Sequence, residues 1–167
     1  TVAVSSEQPA SPAIRTIDQS GLDELDEHGT DLKTMWVAPG GMPAWIEYTF
    51  DKVYRLHELW VWNSNSELET LMGFGARDVA VEYSTDGETW TPLEGVSPFA
   101  QGTGKDTYTP NIVVDFAGAM AKHVKLTIRE NWGTAAMVSL SEVRFFYVPM
   151  AAREPQPQSG AAEVLPD

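Results

Sequence analysis

The stretch VAVEYSTDGETW, residues 79–90, decides the fold class. Its first five residues alternate between the two faces of an extended chain, which is the period of a half-buried β-strand. Residues 84–87 then supply a turn, because Gly87 adopts a positive φ at little cost and Ser84 and Asp86 are common turn residues. Trp90 follows where its ring packs back on the hairpin. The stretch therefore predicts a β-hairpin.

Further strands are predicted on both sides of this hairpin. Apolar and polar residues alternate in residues 46–50 and 124–129, whereas residues 56–63 are more continuously apolar, as in a strand covered on both faces. Residues 112–116 and 143–148 complete the set, and the only helical candidate, residues 118–121, is too short to be more than a turn. Strands separated by turns indicate an all-β sandwich or jelly roll.

Length and composition divide the chain into a domain and a tail. The chain has 167 residues, which suits one hydrophobic core, and we predict that the domain spans residues 1–148. Residues 149–167 are rich in Pro, Ala and Gln and contain almost no large apolar side chain. Such a segment does not bury enough surface to offset its ordering entropy. We predict an interdomain linker or tail here, and therefore a neighbouring domain in the same polypeptide.

Charge and motif content exclude several classes of function. The net charge is -13, which argues against nucleic acid and against anionic membranes, since both require a basic surface. No apolar run reaches the roughly 20 residues that span a bilayer. The chain has no cysteine, which excludes disulfides and thiolate metal sites. It also lacks the serine-nucleophile, zinc-protease and phosphate-loop motifs, so we predict a protein that is not an enzyme.

Five fragments, taken in order, resemble one known family. They are WIEYTF (45–50), LWVWN (59–63), VEYSTDGETW (81–90), AKHVKLT (121–127) and LSEVRF (140–145). Together they are similar to a discoidin domain, also called the coagulation factor 5/8 type C domain, and to the bacterial family 32 carbohydrate-binding modules. The resemblance implies a galactose-binding-like jelly-roll β-sandwich of two antiparallel sheets that binds its ligand through loops at one end. Members of the family bind sugars, phospholipid, collagen or other proteins, so the fold alone does not decide the ligand.

An acidic first loop suggests a calcium ion. Residues 18–36 carry four aspartates, and carboxylates on an irregular loop suit a hard cation. The resemblance implies a structural calcium at this loop, with Thr34 and Trp36 matching one half of the family pattern and Glu142 closing the site. The aspartate of the other half is not identified, because Asp18, Asp23 and Asp26 compete for that position. The candidate ligands are Asp18, Asp23, Asp31, Thr34 and Glu142. The alternative is that these acids only form a solvated surface.

A sugar platform is predicted just after the strand at residues 124–129. Sugars stack on an exposed aromatic ring while planar polar groups hold their hydroxyls. Trp132 stands beside Asn131 in what we expect to be a loop, and Arg129 ends the preceding strand. The alternative for Trp132 is a lid over the edge of the core. The other five tryptophans (Trp36, Trp45, Trp60, Trp62 and Trp90) are expected to pack in the structure, with Trp62 the least certain.

Four more residues are candidates for ligand contacts. Asn63 and Asn65 have amides that donate and accept at once, which suits hydroxyl groups, although both are also ordinary turn residues. His28 is a possible polar contact or a solvated loop residue. Phe74, between two glycines, is an exposed ring or a loop anchor.

The sequence as a whole predicts a non-catalytic carbohydrate-binding module of a larger secreted protein, extracellular or at the cell surface. The partners expected are a glycan or polysaccharide and neighbouring domains, with no nucleic acid and no membrane insertion. The alternative is a protein-adhesion or spacer module without a sugar ligand. An exposed ring among polar groups favours a sugar, whereas a broad apolar patch favours a protein.

Overall fold

A computed structural model describes residues 1–149, so the predicted linker lies outside the described residues except for Pro149. Within them the strands are β1 Val2–Val4, β2 Trp36–Pro39, β3 Ala44–Asn63, β4 Ala76–Ser84, β5 Thr91–Pro92, β6 Ile112–Asp115, β7 Met120–Asn131 and β8 Met137–Tyr147. One short helix, α1 (Glu69–Met72), and two 3-10 turns, Ala13–Thr16 and Leu32–Thr34, complete the elements. No helix in this part of the chain is long and apolar enough to cross a membrane.

The strands form two antiparallel layers. One sheet has the order β1-β3-β7-β4-β5, and the other has the order β2-β8-β3-β6. Residues that alternate along these strands point inward from both layers into one core. This arrangement confirms the predicted all-β sandwich.

Strand β3 belongs to both sheets. Its first half pairs with β1 and β7, and its second half, from Leu56 onward, pairs with β6 and β8. The register shifts between Thr49 and Tyr54, where the chain passes from one layer to the other. The two strands predicted at 46–50 and 56–63 are therefore one bent strand. No Gly or Pro interrupts residues 51–55, so the backbone bends there without ending the strand.

The tryptophans fall into two groups. Trp36 and Trp62 are fully buried, and the indole N–H of Trp62 donates to the Asp26 carbonyl at 2.9 Å. Trp45, Trp60 and Trp90 are only partly buried. Their rings pack along strands: the Lys125 ammonium lies 4.1 Å from the Trp90 ring centre and 5.6 Å from that of Trp45. The packing role expected for all five holds, although only two are core residues.

Helix α1 was not predicted from the sequence. It is four residues long, shorter than any helix that a hydrophobic period reveals, and it ends at Gly73, whose φ of 64° favours glycine. The segment that was the only helical candidate, residues 118–121, instead contains a turn and the start of β7.

One end of the sandwich holds the start and the end of the domain, and the other end holds several of the loops between strands. The amino-terminal Thr1 bonds to the Thr49 carbonyl, and the Val148 amide donates to the Arg55 carbonyl, so the start and the end of the domain lie at the bend of β3. The opposite end holds the loops that follow β3, precede β4 and follow β7, because the first residue of β4 pairs with the last residue of β7. We call this the loop end. It lies opposite the end that holds Thr1 and Val148.

Replacing a core residue of β3 should show how much the burial of this strand contributes to the free energy of unfolding. Leu59 is fully buried, so Leu59→Ala is expected to lower the free energy of unfolding by about 2–5 kcal/mol through lost burial and a residual cavity. Val113, on the paired strand β6, is 57% exposed. Val113→Ala should therefore change the free energy of unfolding by less than about 0.5 kcal/mol. Urea unfolding of both variants measures the difference. Equal losses would contradict this assignment of the core.

Candidate functional site

Trp132 is the centre of the loop end. Its side chain is 39% exposed, its indole N–H donates to the Phe99 carbonyl at 3.0 Å, and its backbone N–H donates to the Gly75 carbonyl at 3.1 Å. These bonds join three loops at one ring. The ring is therefore held in a fixed position with a substantial part of its surface in solvent, and it is not simply a lid on the core.

A glycine contact fixes the loop after β7 against α1. The Gly133 amide donates to the Gly73 carbonyl at 2.9 Å. A Cβ at Gly133 would stand 1.8 Å from the Met72 carbonyl oxygen, so no larger residue fits without moving the backbone. Because Gly133 follows Trp132 directly, this contact also limits the movement of the ring.

Two ion pairs lie where the start of β4 pairs with the end of β7. The Arg77 guanidinium lies 5.5 Å from the centre of the Trp132 ring and 3.9 Å from the Glu130 carboxylate. Arg129 lies 3.8 Å from Asp78. All four side chains are about half exposed, so their ion pairs are weak and their polar atoms remain open to solvent. Arg77 lies beside the ring and was missed from the sequence because it is 55 residues earlier in the chain, whereas Arg129 stays a predicted contact, held by Asp78.

Asn131 has a structural role. Only 5% of its surface is exposed, and its side-chain amide donates to the carbonyls of Ala135 and Met137 at 2.9 Å each. It shapes the turn that presents Trp132 instead of facing solvent. The prediction that Asn131 contacts a ligand is corrected accordingly.

Asn63 and Asn65 are also buried, which corrects their predicted role as ligand contacts. The Asn63 side chain donates to the carbonyls of Ala76 and Ala100 at 2.7 Å each. The Asn65 side chain donates to the His28 and Lys105 carbonyls and accepts from the Gly104 amide. These amides satisfy backbone groups that the irregular loops leave without partners, so they hold the loops together.

His28 lies inside the same network. It is fully buried, its backbone N–H donates to the Tyr108 carbonyl at 2.7 Å, and its ring Nδ1 lies 2.8 Å from the Gly29 carbonyl. Burial lowers the pKa of the ring below its ordinary value. Gly21 packs directly against the ring, at a distance that no side chain could occupy. His28 is therefore a buried residue that joins two loops. It does not contact a ligand, which corrects the prediction.

Phe74 has only 9% of its surface exposed, so it serves as a loop anchor rather than an exposed ring. It forms part of the wall of a shallow cavity of about 390 Å³. The cavity also borders Leu68 and residues 30–32 of the first loop. It lies at the loop end, within the part of the molecule that presents Trp132.

Apolar side chains project beside the platform from α1 and the residue before it. Leu68, Leu71 and Met72 are exposed by 55%, 79% and 41%. Sequence patterns gave no indication of them, because three apolar residues in a short loop look like any other core contribution. Their exposure means that the loop end combines an aromatic platform and charged groups with an apolar rim.

The predicted calcium ligands do not all meet. Asp18 and Glu142 come together from opposite ends of the chain: the amide of Gln19, next to Asp18, donates to the Glu142 carboxylate at 3.2 Å. Burial, with the nearby negative charge of Asp18, raises the pKa of Glu142 to about 8. Asp18 also accepts from the Arg15 guanidinium and from the Ser20 amide, each at 2.9 Å, so a hard cation bound to both carboxyls would share Asp18 with Arg15.

The other acids of the first loop are used locally. Asp23 accepts the amides of Leu25 and Glu27, and Asp31 caps the 3-10 turn by accepting from Lys33. Asp26 forms a bidentate pair with Arg144 at 2.7 and 2.8 Å.

The Thr34 hydroxyl donates to the Asp31 carbonyl. Within residues 1–149 no three His, Cys, Asp or Glu side chains gather around one point. The structure therefore does not support Asp23, Asp31 and Thr34 as a joint site.

Glu69 is a buried acid that sequence reasoning missed. It is fully buried in α1, one carboxylate oxygen accepts from the Gly75 amide at 3.0 Å, and the other has no hydrogen-bond partner. Burial raises its pKa above the ordinary value. Gly75 in turn accepts from Trp132, so Glu69 supports the platform from below.

The variant Glu69→Gln should stabilise the domain at neutral pH. Because the folded pKa is raised, folded Glu69 keeps its proton at pH values where the unfolded chain has lost it, and the free energy of unfolding falls as pH rises past about 4.5. Gln keeps the acceptor for Gly75 and removes this dependence. Urea midpoints should therefore be higher for Glu69→Gln than for the parent at pH 7 and equal at pH 4. A lower midpoint at pH 7 would contradict the assignment.

Comparison with known proteins gives the family. The family model for the F5/8 type C domain matches residues 1–143. No curated protein sequence matches the chain.

Solved structures with the same fold include the family 32 carbohydrate-binding module of Clostridium perfringens NanJ in complex with galactose. It is 15% identical, with 87% of this chain and 91% of that chain covered and a TM-score of 0.62.

A pectin-binding carbohydrate-binding module is 20% identical, with 93% of both chains covered and a TM-score of 0.60. A family 89 glycoside hydrolase from Clostridium perfringens contains the same fold in 14% of its length, at 17% identity, 88% coverage of this chain and a TM-score of 0.59. The family match covers most of the chain, and the fold agrees with it. The chain belongs to the F5/8 type C domain family.

Proposed function

We propose that this chain is a non-catalytic carbohydrate-binding module that binds a glycan at the loop end around Trp132. The observation that carries the proposal is a tryptophan ring that is 39% exposed yet fixed by bonds from its indole and backbone N–H groups. A ring fixed before binding loses little conformational entropy on binding, which favours a weakly held ligand such as a sugar. The apolar face of a sugar ring would stack on the indole.

The charged groups beside the ring supply the polar half of the site. Arg77 and Glu130 lie next to the platform, with Arg129 and Asp78 as a second pair. Guanidinium groups donate and carboxylates accept, so together they match hydroxyl groups, which do both. Because each pair is longer than a hydrogen bond, sugar hydroxyls would replace a weak ion pair and not a strong one.

The position of the site suits a tethered module. Both ends of the domain lie opposite the loop end, so a neighbouring domain attached at either end would leave Trp132 free. Tethering would raise the local concentration of that neighbour at its glycan. The solved relatives include a galactose complex, a pectin-binding module and a glycoside hydrolase that contains this fold, which supports this role. We place the module outside the cell, where polysaccharides and surface glycans occur.

The variant Trp132→Ala should weaken glycan binding and retain a cooperative unfolding transition. The ring is the proposed stacking surface, and its neighbours at the loop end are held by buried amides that this change leaves intact. The measurement is a glycan array with the purified domain, followed by titration of each positive glycan with the variant. Binding should fall by about tenfold or more, a loss of at least about 1.4 kcal/mol.

Trp90→Ala is the matched control for this experiment. It removes another partly buried indole, far from the loop end at the β4–β5 hairpin, and should leave glycan affinity unchanged. If no glycan on the array binds the parent domain, the carbohydrate proposal fails.

A protein ligand at the same end is the second candidate. The exposed Leu68, Leu71 and Met72 make an apolar rim, and such patches mark protein contacts. Leu71→Ser separates the two functions, because Leu71 is 79% exposed and its loss should not affect folding. A protein adhesion site would lose affinity in Leu71→Ser, whereas a glycan site centred on Trp132 would keep it.

We also propose that Asp18 and Glu142 hold a structural calcium ion. The buried Glu142 carboxyl accepts from the amide next to Asp18 and has the charge of Asp18 nearby, and carboxylate oxygens suit this ion. Main-chain and water oxygens would complete the coordination, because no third His, Cys, Asp or Glu side chain joins these two in the described residues. The ion would fix the first loop to β8 and would take no part in chemistry.

Calcium should stabilise the parent domain and not the variant Glu142→Gln. A ligand that binds only the folded state adds about 2.7 kcal/mol at about 100 times its Kd. Thermal unfolding in calcium chloride and in chelator measures the shift for both proteins. Glu24→Gln, at an exposed acid in the same loop, is the matched control and should respond as the parent does. An identical Tm for the parent in calcium and in chelator would contradict the proposal.

A further inference from the structure

A large groove lies on the flank of the domain and not at the loop end. This groove of about 810 Å³ runs between β6 and residues 92–98, where the free edges of the two sheets face each other. Its floor is formed by inner residues of the sandwich, including Ile112, Val114 and Tyr83. No residue of the proposed glycan site lines it.

One wall of the groove is an unpaired strand edge. The Phe116 amide bonds to the His57 carbonyl, so the alternation of an antiparallel pair directs the backbone groups of Val114 and Ile112 toward β3. The N–H and C=O groups of Val113 and Asp115 then point to the open side. No bond joins them to residues 94–98 within the described chain. Val113 is also 57% exposed.

The charges at this edge have one sign. Glu58 and Asp115 lie directly opposite each other on the outer face of β3 and β6, an arrangement that like charges disfavour. His57 lies 3.5 Å from Glu58. Glu94 stands on the other wall, and no lysine or arginine is among the lining residues, although the Arg55 guanidinium lies beside Gly118 at one end.

We propose that the edge of β6 binds an extended peptide of another protein by strand addition, and that this peptide carries lysine or arginine alternating with apolar residues. Its backbone pairs with Val113 and Asp115. Its apolar side chains enter the groove, while its cationic side chains face Glu58 and Asp115. Main-chain bonds supply affinity in this mode and alternate side chains supply selectivity.

A second copy of this chain is a poor occupant. Each copy carries a net charge of -13, and pairing two β6 edges would place Asp115 of each near the other copy's acids. Charge therefore favours a cationic partner over self-association. This surface is separate from the proposed glycan site, so either proposal stands if the other fails.

The test uses two synthetic peptides of about eight residues, capped at both ends, in which valine alternates with lysine or with glutamate. Fluorescence anisotropy of the labelled peptides is measured against the whole chain at low salt, up to about 1 mM protein. The lysine peptide should bind, and the glutamate peptide should bind at least about tenfold more weakly. No binding of the lysine peptide in this range overturns the proposal.

The variant Val113→Pro tests the backbone pairing. Proline removes the outward N–H and leaves the bonds of β6 to β3 intact, which is the position where an edge strand tolerates it. Affinity for the lysine peptide should fall by about tenfold, while Val113→Thr keeps it. Unchanged affinity in a folded Val113→Pro protein overturns strand addition. If that variant fails to fold, amide exchange in the parent decides, since the peptide should protect the Val113 and Asp115 amides.

The variant Glu94→Lys tests the charge argument, with Glu88→Lys as its control. Both acids are exposed and both changes alter the net charge equally, but Glu88 lies at the β4–β5 turn, away from the groove. Glu94→Lys should weaken the lysine peptide and strengthen the glutamate peptide, and Glu88→Lys should leave their ratio unchanged. Equal effects of the two variants would mean that only net charge acts, which overturns the proposed site.

Discussion

The continuity of β3 is the constraint on which the rest of the structure depends. One strand of 20 residues supplies the middle of both sheets, so each layer is built on a half of the same backbone. The bend near residues 49–54 sets how the two layers face each other. Inward residues of both halves, such as Ile46 and Leu59, then enter one core. Because the layers share a strand, neither sheet can shift its register without disturbing the other.

The loop end shows how irregular chain is made rigid without secondary structure. Long loops leave backbone groups without partners, and buried side chains must satisfy them. Asn63, Asn65 and Glu69 do this from the interior, and His28 links the first loop to the loop before β6. The polar residues of these loops therefore fix the loop conformation, because their side chains bond to the loop backbone. Trp132 and Arg77 are among the groups that remain exposed at the rim.

The domain presents two surfaces of different chemistry. The loop end offers an aromatic ring, paired charges and an apolar rim, which suits a ligand with both hydroxyl groups and an apolar face. The flank offers main-chain donors and acceptors at the edge of β6, with acids of one sign around it. The two surfaces use different elements, and both ends of the domain lie away from the loop end. The two proposed sites therefore do not overlap, and occupation of one would leave the other accessible.

The sequence by itself determined the all-β class, the position of most strands, the family and the exposure of Trp132 in a loop. These features follow from the alternation of apolar and polar residues and from the order of the family-like fragments along the chain. Both depend only on residues that are close together in the sequence. Tertiary structure alone decided the continuity of β3, the burial of Asn63, Asn65, Asn131 and His28, and the pairing of Asp26 with Arg144. The sequence around an asparagine in a loop does not show whether its side chain faces solvent or another loop. Its role depends on which distant backbone groups remain unpaired, and that is fixed only when the chain has folded.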